Sequence, residues 1–160
     1  MAILVSSGRV ALAIALKTQS FHCAWGTGDV AWDTDPVQES TGATALVAEL
    51  GRARAVVLEF AYPDVDGYIT FPSGKFSVSA TPTDHLYLKF QFGHQDEPLA
   101  RIREIGVFVG SVPAPGTTVG QNYFTPDQIS YAGRLMLLER FPFIDRSLAV
   151  RQSFEFVIQL

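Results

Sequence analysis

The residues of this chain that could do acid–base, nucleophilic or metal chemistry are few, and their spacing argues against each use in turn. A single cysteine, Cys23, lies beside His22. Neighbours on a strand point to opposite faces, so this segment alone cannot form a nucleophile–base pair. A buried or half-buried thiol is the expected state of Cys23. The three histidines, His22, His85 and His94, match no zinc spacing, and there is no second cysteine to complete a site. His85 lies on the polar side of an alternating strand and is expected at the surface. Gly26-Thr27-Gly28-Asp29 lacks the Gly-Lys-Ser/Thr that grips a phosphate, so a tight turn is its expected form. Asp64-Val65-Asp66-Gly67 has its glycine at the fourth position, where a calcium loop needs it at the sixth, and Asp29, Asp33 and Asp35 read as turn carboxylates. No serine occupies a G-x-S-x-G elbow. No catalytic residue, metal ligand or cofactor is expected, and the chain is not expected to be an enzyme.

The elements that would have to position any site read as mainly β. The 160 residues are enough for one domain with a real core, and the 18% charged share is too low for a disordered chain. The net charge of −4 comes without any basic stripe, which argues against nucleic acid as a partner. The apolar stretches at 1–5 and 10–16 are interrupted by Arg9 and are too short to span a bilayer, so no membrane partner is expected. The lone cysteine allows no intrachain disulfide and fits a cytosolic place of synthesis.

Ser6-Ser7-Gly8 is expected to cap a helix over 9–18, supported by Ala11, Ala13 and Ala15. A strand over 21–25 then runs into the glycine turn. Residues 30–41 read as a polar loop around Trp32, Asp33, Asp35 and Pro36, and 43–50 as one or two helical turns stopped by Gly51. Strands are expected from 54 onward, then over 68–71, 75–80, 84–92, 100–109, 134–141 and 149–160, with an exposed loop over 110–122 and a single helical turn at Thr125-Pro126-Asp127. The alternation is clearest at 84–92, where Leu86, Leu88, Phe90 and Phe92 share a face opposite His85, Tyr87, Lys89 and Gln91. The fold class this predicts is an antiparallel β-sandwich or partly closed barrel with one N-terminal helix and short helical turns, in one domain over 1–160.

One strand departs from simple alternation. In Arg101-Ile102-Arg103-Glu104-Ile105-Gly106-Val107-Phe108-Val109, the face of Ile102, Gly106 and Phe108 also carries Glu104, while Arg103 shares the other face with Ile105, Val107 and Val109. Two apolar faces suit a central strand or one covered by a partner. Glu104 is then either buried and paired, with Arg52 and Arg54 as candidate partners, or wet at the sheet's edge. Gly106 signals a bulge or a close approach at mid-strand.

The segment Ile102-Arg103-Glu104-Ile105-Gly106-Val107-Phe108 resembles the IREIGVF-type stretch of tail proteins of tailed bacteriophages, found in the virion-attaching N-terminal regions of tail-fibre and tail-collar proteins and in small baseplate proteins. Further pieces follow in the same order. Ala24-Trp25-Gly26-Thr27-Gly28-Asp29 is similar to the GxGD turn of that region, and residues 44–52, from Thr44 to Arg52, are similar to its T-x-L-x-x-E-x-x-R segment. Gly133-Arg134-Leu135 matches its G-x-L, and Phe154-Glu155-Phe156-Val157-Ile158 resembles a closing strand of small tail proteins. The resemblance implies a virion protein of the baseplate or tail tube, bound to other tail proteins (tube, sheath, baseplate or fibre) and forming a symmetric homo-oligomer. Because the chain stops at Leu160 where a fibre would continue into a shaft, an attachment module standing alone is expected. Such a role needs large complementary surfaces, in which aromatic residues and arginine are enriched. The interface candidates are Arg52, Arg103, Glu104, Gly106, Tyr123, Phe124, Phe141 and Phe143, although the aromatic clusters could equally close the ends of the core.

Two other function classes stand beside this one. A carbohydrate-binding β-sandwich for host recognition would use Trp25, Trp32 and Tyr68 as stacking faces. A peptidoglycan-active enzyme would need Glu49 and Glu104 in a cleft.

Overall fold

A computed structural model describes residues 1–35 and 37–160; Pro36, part of the predicted polar loop, lies outside the described residues. The elements in chain order are α1 (Ser6–Lys17), β1 (Phe21–Gly26), β2 (Glu49–Pro63), β3 (Ile69–Phe71), β4 (Gly74–Ser79), β5 (His85–Phe92), β6 (Arg101–Val109), β7 (Val112–Pro113), β8 (Tyr123–Phe124), β9 (Ile129–Tyr131), β10 (Arg134–Asp145) and β11 (Gln152–Gln159). Short 3-10 turns lie at Val30–Asp33 and Pro126–Gln128. The fold is thus mainly antiparallel β with one N-terminal helix and short helical turns, as the alternation and turn signals predict. By its internal contacts the chain divides into two compact units.

The first unit comprises Met1–Gln19, Val56–Lys89 and Phe154–Leu160. Here β4 pairs antiparallel with both β2 and β3, and β5 pairs with β2 and β11. Ala13 of α1 packs with Phe60 and Leu86, against which Leu16 and Leu160 also lie. The helix begins three residues before its predicted start. The Gly8 and Arg9 N–H groups both donate to the Val5 carbonyl, so Ser6 and Ser7 fall inside the first turn and neither caps it. His85 is a second correction. It is buried, with Nδ1 2.7 Å from an Asp84 carboxylate oxygen, because the side of β5 that it shares with the buried Tyr87 is also covered. On that side Tyr87 donates to Glu155, and Lys89 pairs with the same carboxylate.

The second unit comprises Ser20–Ala55 and Phe90–Ser153. Its strands follow the order β10-β6-β1-β2-β8, every pair antiparallel, and β7 with β9 forms a separate two-stranded ladder. Strand β6 is flanked by β1 and β10, and every residue from Ile102 to Phe108 is buried, which agrees with its two apolar faces. Trp25 stacks on Phe92 at 3.7 Å between ring centroids and anchors one side of the core. On the other side Ala24 and Phe108 pack with Leu46 and Leu135.

The predicted helical turns at 43–50 do not form; the segment is irregular up to Glu49, where β2 begins. The reason is competition for its backbone. The Val47 and Ala48 N–H groups donate to the Glu104 carboxylate, and the Ala48 carbonyl accepts the Thr27 N–H, so these groups are not available to a helical ladder. The loop predicted over 110–122 contains β7, and the pairing of Tyr123 and Phe124 with Ala53 and Arg52 adds β8.

Candidate functional site

The site centres on β6, whose ionisable residues each hold a different part of the second unit in place. Glu104 has no solvent exposure. One carboxylate oxygen accepts the Val47 N–H at 3.0 Å and the other the Ala48 N–H at 2.8 Å. The predicted arginine partners are therefore corrected: two backbone amides satisfy this carboxylate. Arg52 is instead bidentate to Glu49, with both distances 2.8 Å, and also donates to the Ser111 hydroxyl and the Ala132 carbonyl. Its guanidinium lies over the Phe108 ring at 4.1 Å. Arg54 lies over the Phe124 ring at 5.5 Å.

Arg103 points the other way from Glu104, as strand alternation requires. It grips Asp33 through two bonds of 2.7 and 2.8 Å and donates to the Thr27 carbonyl at 3.1 Å. This fixes the glycine turn and the 3-10 turn after it. The Arg103 guanidinium in turn holds the Asp33 carboxyl below its ordinary range, chiefly by that hydrogen bond. Asp29 caps the 3-10 turn by accepting the Ala31 N–H. Gly28 has φ +55°, and a Cβ there would meet the Trp32 ring at 2.3 Å, so the predicted tight turn depends on glycine at this position. At the start of β6, Arg101 pairs with Asp145 of β10 at 2.7 Å and lies over Phe143 at 4.2 Å.

Gly106 marks a close approach of side chains. A Cβ built there would lie 2.7 Å from both the Leu135 and the Leu46 methyl groups. Those methyls end flexible side chains, so Gly106→Ala is expected to fold but to lose about 1–3 kcal/mol through overpacking. A lowered denaturation midpoint would register it, and an unchanged midpoint would mean that the gap is not tight.

The interface candidates separate by burial. Arg52, Arg103, Glu104, Gly106 and Phe124 are interior residues of this chain, so they shape a surface without forming it. That corrects the reading of Phe124 as a contact point. Tyr123 is half-buried, its hydroxyl accepting the Trp25 indole N–H. Phe141 is half-buried, and Phe143 is 44% exposed. The stacking faces proposed for sugar are mostly missing: Trp25 and Trp32 are buried, and only Tyr68 is open, at 74% exposure. Glu49 and Glu104 are both taken up by the partners described above. Cys23 is buried, which pushes its thiol well above the ordinary range.

Sequence reasoning missed Arg146, which donates to the Gly93 and Val150 carbonyls and lies over the Trp25 ring at 4.9 Å. No local signal distinguishes it from a surface arginine. It also missed the Arg103–Asp33 pair, although it noted both residues. No curated protein matches the chain. The family model described as baseplate wedge 3 tail fiber network component matches residues 1–160.

Proposed function

The chain belongs to the family of baseplate wedge 3 tail fiber network components, which makes it a structural part of a phage tail, located in the virion and in contact with other tail proteins, and from that premise we propose that it is a non-enzymatic connector. In this reading it joins neighbouring baseplate proteins, or anchors fibres to them, through loops that are held in their bound shape before a partner arrives. Copies associate with one another in a symmetric assembly, as tail components of one type commonly do. The chain is made in the host cytoplasm and incorporated there.

The observation that carries this reading is the division of labour along β6. Arg101, Arg103 and Glu104 each hold a different segment, respectively Asp145, the turn from Thr27 to Asp33, and Val47-Ala48. Ordering a loop in advance removes that entropy cost from binding. Saturation of Glu49 and Glu104 by internal partners also favours a scaffold over an acid–base site.

The test is capture of neighbouring baseplate proteins by the tagged chain, together with detection of the chain in purified particles. Arg103→Met should leave the protein folded but release the turn, weakening capture by about tenfold, equivalent to roughly 1.4 kcal/mol. Full-strength capture by that variant, with the turn shown to be mobile by amide exchange, would rule out preset loops as the basis of binding.

A further inference from the structure

In the second unit, Arg52, Arg101 and Arg103 are each paired with a carboxylate of that unit. Arg151 is not. It lines a pocket of about 200 Å³ together with Gln91, Phe92, Gly93, His94 and Asn122. Its side chain is exposed and has no hydrogen bond or ion pair among the described residues. The His94 ring has no partner among them either. Its Nδ1 is shut off from solvent, so Nε2 is the nitrogen that can reach a ligand. The walls of the pocket are fixed from within. Arg146, only 6% exposed, donates to the Val150 carbonyl at 3.0 Å and to the Gly93 carbonyl at 2.7 Å. One guanidinium thus ties together the residues that immediately precede Arg151 and His94. Asn122 donates from Nδ2 to the Gln91 carbonyl at 2.8 Å and secures the remaining wall. The acceptors of Arg146 are all backbone carbonyls, so its charge adds to that of Arg151. Asp96, whose carboxylate accepts the Gly93 N–H at 2.6 Å, offsets one of these charges.

We propose that this pocket takes a carboxylate from an acidic side chain of a neighbouring tail protein. This rests on the connector reading for the identity of the partner and names the chemistry of one contact. Charge and donor geometry select the occupant. A guanidinium presents parallel N–H groups that match the two oxygens of a carboxylate. His94 adds a donor at Nε2, and the Asn122 amide keeps a second hydrogen beyond the one given to Gln91. A tetrahedral phosphate is ordinarily cradled by backbone N–H groups, and the Gly93 N–H is already taken by Asp96. A cationic or apolar group would leave Arg151 unmatched, at a cost to binding. Because Arg146 and Asn122 hold the backbone of the pocket in place, little ordering is left to be done when the acid arrives.

The test titrates the full chain with a blocked peptide of adjacent glutamates, with the same peptide carrying glutamines, and with inorganic phosphate, following the imidazole resonances of His94. The glutamate peptide should shift them saturably and the glutamine peptide should not. Arg151→Gln should weaken that binding by about tenfold, and it should fold normally because the side chain it removes is exposed and unpaired. The same variant should weaken capture of baseplate neighbours by the tagged chain. Equal shifts with both peptides, or none, overturn the proposal. Tighter binding of inorganic phosphate than of the glutamate peptide would assign the pocket to a free anion and overturn it too. Full-strength capture by Arg151→Gln would overturn this inference alone and leave the connector role intact. A wild type that captures no neighbour and is absent from purified particles would overturn the connector reading, and the tail-protein partner with it; the peptide titration reports on the pocket separately.

Discussion

Replacing Glu104 with alanine is expected to lower stability by about 3–6 kcal/mol, because hydrogen bonds to a charged group contribute about 1.5–3 kcal/mol each and two are lost together. The side chain is fully buried and its carboxylate accepts two amides, Val47 and Ala48. Truncation leaves both N–H groups facing a cavity with no acceptor. Glu104→Gln keeps the shape and one carbonyl acceptor, so it should recover part of the loss. Chemical denaturation of the three proteins measures the ranking, and amide exchange at Val47 and Ala48 locates it. If Glu104→Ala unfolds at the wild-type midpoint, the carboxylate is not what holds this segment.

The second large effect is a loss of stability in mild acid, traced to His22. This residue is 1% exposed, neither ring nitrogen has a hydrogen-bond partner among the described residues, and its ring meets Phe124 edge-on at 5.6 Å. Burial, with Arg54 and Arg52 adding to it, lowers its pKa from 6.5 to about 4. Unfolded chains therefore take up a proton at a pH where the folded protein does not. The contribution from neutral His22 is complete above pH 6.5 and is lost as the pH falls towards 4. The gap in pKa corresponds to about 3 kcal/mol. Asp33, Asp64 and Asp84 have lowered values, and their contributions fade on further acidification, below the ordinary carboxylate range. Denaturation midpoints measured from pH 7 to pH 4 should thus fall steeply for the wild type and more gently for His22→Phe. Parallel curves for the two would show that another group controls the response.

How much of this was legible in the sequence depended on whether the determinants were local. The alternation of Leu86, Leu88, Phe90 and Phe92 located β5 because the signal is a strand's own period. The turn at Gly26-Thr27-Gly28-Asp29 was legible for the same reason. Residues 43–50 were misread because their helix-forming composition is overridden by a carboxylate 56 positions away in sequence from Ala48. The two-residue strand β8 has no period to detect. Glu104 was recognised as anomalous, but its partners were sought among arginines; backbone amides are chemically the same in every residue except proline and leave no mark in a sequence. Arg103 was found as a candidate, while its bond to Asp33 required knowing that the glycine turn folds back beside β6.

Adjacent residues of opposite sign, one on each face of β6, also guard against misassembly. A shift of β6 by one residue along its neighbours would exchange the two faces. A slip in one direction would set Glu104 in the place of Arg103, against Asp33, anion against anion; a slip in the other would set Arg103 in the place of Glu104, against the Val47 and Ala48 N–H groups, donors against donors. Each direction of slip therefore meets a mismatch of its own, so neither is open. The dipeptide acts as a two-sided key that admits one alignment of the strand, and a subunit that must fit other proteins of a phage tail has reason to keep one.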